Sequence, residues 1–513
     1  MAKNKKVEIS LEEKLEKALI PVEEQPYKIP NNWVWTRLGE ICEINPNKIK
    51  IEIDENELVD FIPMKNISED SPEIIEKNFE KFKDLQKGYT QFIENDILFA
   101  KITPCMENGK TAIITDLKEK IGYGSTEFHI LRSTKIINNK LLYNFLKQKR
   151  FRDDAKYNMT GSVGFRRVPT IFMKNYSFPL PPLDEQKRIV EKLDFLFDKT
   201  KKAKEIIEEI KVDIENRKIS ILDRAFKGVL TSKWRNENKV SDVKELLKSI
   251  NDEKIKKWEE ECLQAEKEGK KKPKKPTITE IEDMIVPVDE QPYKLPDSWV
   301  WVRLGEVVEV NPNKIKIDIG ENELVDFIPM KNVSESSPEI IEKNFEKFKD
   351  LQKGYTQFIK NDILFAKITP CMENGKTAII SDLKEKIGYG STEFHILRST
   401  KIINNKLLYN FLKQKGFRED ARYNMTGSVG FRRVPTEFMK SYPFPLPPLE
   451  EQQEIVRILD EVLENENKVK ELLELEERID VLEKSILNKA FKGELGTQNS
   501  SDEPAIELLK EIL

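Results

Sequence analysis

The sequence predicts an α+β chain. Two mixed α/β domains are separated by two long helices that form an antiparallel coiled coil, and the whole is a pseudo-two-fold circular repeat. Three observations carry this. Residues 25–182 recur as 291–448 with 19 differences over 158 positions, far closer than repeats that share only a pattern. Each copy runs into a stretch whose apolar residues recur at alternating spacings of four and three, as in a coiled-coil seam. The segments after the two helices also match. "FKGVLTSKW…VKELLKSI" from residue 226 is echoed by "FKGELGTQN…IELLKEI" from residue 491, so the repeat closes on itself.

The elements follow in order. Residues 1–22 are an N-terminal arm and 23–183 the first domain. In that domain "DFIPM", "QFIENDILFAKI", "GKTAIIT" and "STEFHIL" read as strands between Gly, Asn and Pro breaks. Residues 139–155 place Leu142, Phe145, Leu146 and Phe151 at helical spacing. After "FPLPPLDEQ", with Asp184 as N-cap, a helix spans 184–228. Its seam is Ile189, Leu193, Leu196, Thr200, Ala203, Ile207, Ile210, Ile214, Arg217 and Ile221. A linker covers 229–287, and its "EKEGKKKPKKP" run is expected to be a mobile, solvated tether. The second domain is 288–449, the second helix 450–493 and the C-terminal tail 494–513. The second seam is Ile455, Leu459, Val462, Glu466, Val469, Leu472, Leu475, Ile479, Leu482 and Ile486, with one residue missing between Val469 and Leu472.

Composition narrows the function classes. With 35% charged and 38% hydrophobic residues, the chain is expected to be soluble and to bury cores. No apolar run approaches the ~20 residues that span a bilayer, so no membrane partner is expected. The charged N-terminus lacks the apolar stretch of a leader. Cys42, Cys105, Cys262 and Cys371 form no CxxC pair, which points to a reducing cytoplasm and no structural metal. A net charge of −4 gives no global attraction to nucleic acid, which then requires local basic patches or a partner adding positive charge.

No catalytic constellation emerges. "ITPCMENGKTAII" (102–114, repeated at 368–380) ends like a nucleotide loop, but Pro104 replaces its first glycine. Proline removes a donor and fixes φ where a phosphate cradle needs donors and conformational freedom. "NPNK" (45–48 and 311–314) lacks the second proline and the aromatic of an amino-methyltransferase loop. His129 and His395 sit in alternating strands and read as structural. Binding is what remains. "AKITPCMENGK", "GYGSTEFH" and "MTGSVGFRRVP" each occur twice and mix basic, polar and small residues. Arginine there holds phosphate or reads guanine. The candidate binding residues are Lys101, Asn108, Lys110, Ser125, Thr126, Arg166 and Arg167, with Lys367, Asn374, Lys376, Ser391, Thr392, Arg432 and Arg433 in the second copy.

"ILFAKITPCMENGKTAI", "GSTEFHILR", "MTGSVGFRRVP", and "FPLPPLDEQ" followed by a long helix ending in "AFKG", resemble the specificity subunit of type I restriction–modification systems. The resemblance implies two DNA target recognition domains, each binding half of a bipartite site on double-stranded DNA. It implies helices that act as spacer and as docking surface for two methyltransferase subunits, which bring S-adenosylmethionine, and for restriction subunits. It implies no cofactor and no catalysis in this chain. The family commonly pairs different recognition domains, whereas these two are nearly the same, and an interrupted palindrome is therefore expected. The alternatives are a subunit of a type II-like methyltransferase–nuclease and a coiled-coil scaffold that binds only proteins.

Overall fold

The computed structural model describes residues 10–513 except 163, 268, 270, 429 and 465–467. The chain folds into two compact units: Met1–Glu208 with Leu472–Leu513 (unit 1), and Glu209–Glu471 (unit 2).

Unit 1 contains strands β1 (Val34–Arg37), β2 (Cys42–Ile44), β3 (Leu58–Ile62), β4 (Asn78–Lys81), β5 (Thr90–Phe92), β6 (Ile97–Ala100), β7 (Thr111–Ile113), β8 (Gly122–Gly124), β9 (Phe128–Ser133) and β10 (Ser177–Leu180). They form an antiparallel sheet in the order β2-β9-β6-β7, a mixed sheet in the order β4-β3-β8-β5, and the pair β1-β10. Only β3 and β8 run parallel. The apolar run Ile97–Ala100 is explained by burial on both faces. Ile97 and Phe99 enter the main core, whereas Leu98 points the other way, into the core it shares with Ile62, Phe92 and Ile130. "QFIENDILFAKI" is therefore two strands in different sheets, turned at Asn95, whose φ is +68°. Gly122 allows close approach, since a Cβ there would lie 2.3 Å from the Phe92 ring. Unit 2 repeats these strands 266 residues on, so that Val34 opposite Leu180 becomes Val300 opposite Leu446.

Where one helix was expected over 139–155 there are two, Asn139–Lys147 and Lys149–Tyr157. Six residues along an unbroken helix, Phe151 would face away from Phe145. Gln148 takes extended angles instead, and the two rings meet at 5.7 Å.

The first long helix is Leu183–Phe226. Asp184 is not its N-cap; it lies in the first turn, where its charge suits the helix dipole, and pairs with Lys187 at 2.9 Å. The second helical stretch is described as Leu449–Glu464 and Lys468–Phe491.

The expected linker contains the helices Ser232–Glu237 and Val243–Lys267. Val243, Leu247 and Ile250 are buried in the unit 2 core, so its first half is part of a domain rather than a tether. The tail supplies the equivalent in unit 1, where Ala505, Leu508 and Leu509 of the helix Ala505–Lys510 join the main core. The two closures match in polar detail. Glu185 accepts from Trp33 Nε1 (2.8 Å) and Thr497 (3.0 Å); Glu451 accepts from Trp299 Nε1 (2.8 Å) and Thr231 (2.6 Å).

Within unit 1 the helices run antiparallel. Arg188 donates to Thr497 O (2.9 Å), Lys192 to Leu495 O (2.8 Å), and Lys204 Nζ pairs with Asp480 (2.7 Å) and Glu483 (2.9 Å). Unit 2 follows the same direction: Leu222 and Phe226 share a core with Ile455 and Leu459.

The seam differs from the expected series near its middle. Ile189, Leu193, Thr200, Ile207, Ile455, Leu459 and Ile486 are buried, and Leu196, Ala203, Ile214, Ile221, Val462, Leu472 and Ile479 are half-buried. Ile210 and Arg217 are exposed, as are Leu475 (42%) and Leu482 (50%). The inward face there takes Lys211 and Lys218 on the first helix, and Glu476 and Glu483 on the second. In unit 1 the half-buried Glu483 meets the Lys204 ammonium at 2.9 Å on that face. The side chain of Val469, like Glu466, lies outside the described residues.

Candidate nucleic-acid interface

Backbone hydrogen bonds bring the three repeated stretches together. Lys101 N donates to Glu127 O (2.9 Å), Val168 N to Lys101 O (2.9 Å) and Thr103 N to Arg166 O (3.2 Å). Thr160 and Arg167 exchange hydrogen bonds of 3.0 and 2.8 Å, and so pair the two arms of a hairpin, residues 160–162 and 164–167. Unit 2 repeats the cluster: Lys367 N donates to Glu393 O (2.9 Å), Val434 N to Lys367 O (2.8 Å) and Thr369 N to Arg432 O (3.1 Å).

The loop that resembles a nucleotide site has no free cradle. The N–H groups of Met106, Asn108, Gly109 and Lys110 donate to the carbonyls of Ile102, Pro104, Met106 and Cys105 at 2.9–3.0 Å. Lys110 Nζ turns back to Met64 O (3.3 Å). Lys147 and Arg152 clamp the loop from outside, donating to Gly109 O (3.1 Å) and Glu107 O (3.0 Å). Burial lowers the Lys147 ammonium to about 8. Gly109 has φ +79°, and a Cβ there would sit 2.9 Å from Arg152.

Asn45 of "NPNK" serves the fold. Its Oδ1 accepts from Ile130 N (3.1 Å), and its Nδ2 reaches Thr170 Oγ1 (3.1 Å) and His129 Nδ1 (3.0 Å). His129 Nε2 donates to Val168 O at 2.7 Å while Nδ1 accepts from Asn45 Nδ2, the pattern of a neutral ring. Burial pushes both His129 and His395 down to about 4.

Several candidate residues are committed to internal partners. Arg167 makes a bidentate pair with Glu127 at 2.7 Å, and Arg433 does the same with Glu393 (2.7 and 2.8 Å). The arginines hold both carboxyls below their ordinary range. Asn108 donates to Glu69 and Asn374 to Glu335, each at 2.9 Å. Lys376 donates to Val333 O (3.1 Å). Ser125 and Ser391 accept from the N–H groups of Glu127 and Glu393, each at 3.2 Å. Burial, ahead of the opposing pull of Glu127 and Glu393, lowers Lys101 and Lys367.

Fewer groups face outward. Thr126 and Thr392 are exposed. Arg166 and Arg432 each spend one nitrogen on a carbonyl, of Met159 (2.9 Å) and Met425 (3.0 Å). Phe165 is 62% exposed on the hairpin, and Tyr157, at the end of the helix leading into it, is 88% exposed. Tyr157 and its copy Tyr423 are not among the residues singled out from sequence. The only signal was an aromatic standing directly before "NMTGS". Exposed aromatics beside a guanidinium can stack on bases or sugars while the cation meets phosphate or a base edge.

Residues 30–212 and 296–477 match the family described as "Type I restriction modification DNA specificity domain". The chain is 31% identical over 503 residues to the type I restriction enzyme EcoAI specificity subunit of Escherichia coli, covering 88% of this chain and 81% of that one. It is 34% identical over 332 residues to the EcoEI specificity subunit of Escherichia coli, covering 56% and 52%. Among solved structures, one from work on the assembly and conformational transition of the type I R-M system matches with TM-score 0.64 and 19% identity over 92% of this chain and 100% of that one. The HsdS subunit from Thermoanaerobacter tengcongensis matches with TM-score 0.52 and 19% identity, with the same coverage. These two likenesses are of fold. With the specificity domain matched twice, across most of its length, the chain belongs to the type I restriction modification DNA specificity domain family.

Proposed function

We propose that this chain is the DNA sequence-recognition subunit of a type I restriction–modification complex, with each unit reading half of a bipartite site. The observation that carries the reading is the specificity domain occurring twice, each copy presenting the same hairpin with an exposed Phe165 or Phe431 beside Arg166 or Arg432. The clamped loop and the Arg167–Glu127 pair stiffen the base of that hairpin. Arg166, next to that base, then meets DNA without much ordering cost. Recognition belongs to this chain. Methyl transfer belongs to two methyltransferase subunits that bring S-adenosylmethionine, and cleavage to restriction subunits. The net charge of −4 fits this division, because the partners must supply much of the attraction to phosphate.

A gel shift with the purified methyltransferase partner, run at two stated salt concentrations, tests the reading. Duplexes carrying the motif methylated in the host are expected to bind far more tightly than scrambled duplexes at both salts. Equal binding to both duplexes would remove the recognition role.

A further inference from the structure

The two copies differ at 19 of 158 positions, and four of those positions line a single cavity of unit 1, about 490 Å³ in volume: Arg150, Ile171, Asn175 and Ser177. Its floor is aromatic, with Phe145, Phe151 and Tyr176 packed edge to face; Phe151 and Tyr176 are 4.8 Å apart. Tyr27 forms one wall, fixed by its hydroxyl, which donates to Phe491 O (3.0 Å). Two cations gather at Tyr27: the Arg150 guanidinium lies 5.6 Å and Lys492 Nζ 5.7 Å from its ring. Neither has a carboxylate partner among the described residues. Ile171 at the rim is 64% exposed. Asp154 is also present, its carboxylate accepting from the Tyr176 hydroxyl at 2.7 Å.

Unit 2 keeps the aromatic residues Phe411, Phe417 and Tyr442, the Tyr293 hydroxyl bonded to Phe226 O, and the Asp420–Tyr442 hydrogen bond of 2.7 Å. It changes the charge at the mouth. Gly416 replaces Arg150, and Glu437 replaces Ile171. Lys227, the counterpart of Lys492, is paired with Asp223 at 2.9 Å, where unit 1 has Asn488. Residues 160–167 and 426–433 are identical in sequence, yet the rim positions are Arg150 and Ile171 in unit 1 and Gly416 and Glu437 in unit 2, where Lys227 still lies 5.7 Å from the Tyr293 ring.

We infer that unit 1 carries a docking pocket for an acidic segment of a protein partner, and that unit 2 lacks it. A guanidinium beside an exposed isoleucine and above aromatic rings receives a carboxylate and a neighbouring apolar side chain together. A DNA backbone carries the charge too, and the DNA affinity of the variants below separates the two sources. Glu437 would repel the same carboxylate in unit 2. One chain thus offers one such site, so a partner can tell its two halves apart although both halves read DNA alike. The inference goes beyond the DNA-reading role and does not depend on it.

The test uses the full-length chain and a fluorescein-labelled, end-capped hexapeptide of alternating glutamate and phenylalanine, followed by anisotropy. The same peptide with lysine for glutamate is the control. The expected result is saturable binding at one acidic peptide per chain, weakening with salt, and none for the basic peptide. Arg150→Gly with Ile171→Glu, which installs the unit 2 residues, should weaken binding about tenfold or more. The reciprocal Gly416→Arg with Glu437→Ile should create a second site per chain, a gain that misfolding cannot imitate. A Cβ at Gly416 meets nothing within 4 Å, so the arginine has room. DNA affinity should stay unchanged in both variants. Four outcomes would each overturn the inference: no saturation at millimolar peptide, equal binding of the lysine peptide, two sites in the parent chain, or lost DNA affinity in the first variant. The last would assign the pocket to phosphate.

Discussion

His129 and His395 make the fold sensitive to acid. Each ring is buried, donates from Nε2 to a carbonyl and is pushed down to about 4. The folded value lies below the ordinary 6.5, so their contribution is complete above pH 6.5 and is lost as pH falls toward 4. At the acid end that amounts to about 3 kcal/mol per histidine. Replacing both by Gln, which can still donate, should flatten the fall in Tm between pH 6.5 and 5; parallel melting curves would contradict this. Arg166→Ala with Arg432→Ala is the second prediction at this scale. If each arginine reads a base, affinity should fall by about 1–3 kcal/mol per half-site and specificity relax there; if it holds phosphate, all sequences should suffer alike. Filter binding on matched and mismatched duplexes separates the two, and an unchanged double variant would leave the hairpin without a DNA role. The structural reading of the histidines was legible from strand alternation alone. The commitments of Arg167 and Asn108 were not, because Glu127 and Glu69 are distant in sequence and meet them only once three loops have packed.

Along the helices, the four-three spacing announced a seam but left its phase open. Leu472, Ile479 and Ile486 belong to two possible series, one running through Leu475 and Leu482, the other through Glu476 and Glu483. The second faces inward, which apolar counting could not choose because it places charge in the seam. Two substitutions distinguish the phases. Ile207 is 6% exposed, and Ile207→Asp should cost on the order of 3 kcal/mol by burying an unpaired charge. Leu482 is half exposed, and Leu482→Asp should change stability by no more than about 0.5 kcal/mol. Urea melts of both variants check this, and the reverse order of costs would restore the first series. The break at Gln148 escaped sequence reading for a similar reason: only the packing of Phe151 onto Phe145 demands it.

At the scale of the whole chain, the near-identity of the two copies was the plainest feature of the sequence. Residues 86–149 differ from their copy only at Glu94 and Thr115, and the hairpins not at all. Equal readers take equal half-sites, and the helices run in opposite directions within each unit. The expected target is therefore an interrupted palindrome with one modified base on each strand. Long-read methylation sequencing of cells expressing this chain with its methyltransferase would show it; unrelated half-sites would contradict it, and a direct repeat would contradict the opposed polarity. The circular layout has another consequence, which concerns time. Unit 2 is one unbroken run, but the core of unit 1 waits for Phe491, Ala505 and Leu509. A ribosome adding 5–20 residues per second needs roughly 15–60 s to travel from the end of the first stretch of unit 1 to Phe491. Throughout that interval Phe145 and Phe178 lack the Phe491 ring, which meets them at 5.2 and 6.3 Å. The first stretch of unit 1 thus belongs to a core that closes only after unit 2 has been made, and the nascent chain presents an apolar surface to chaperones until Phe491, Ala505 and Leu509 emerge.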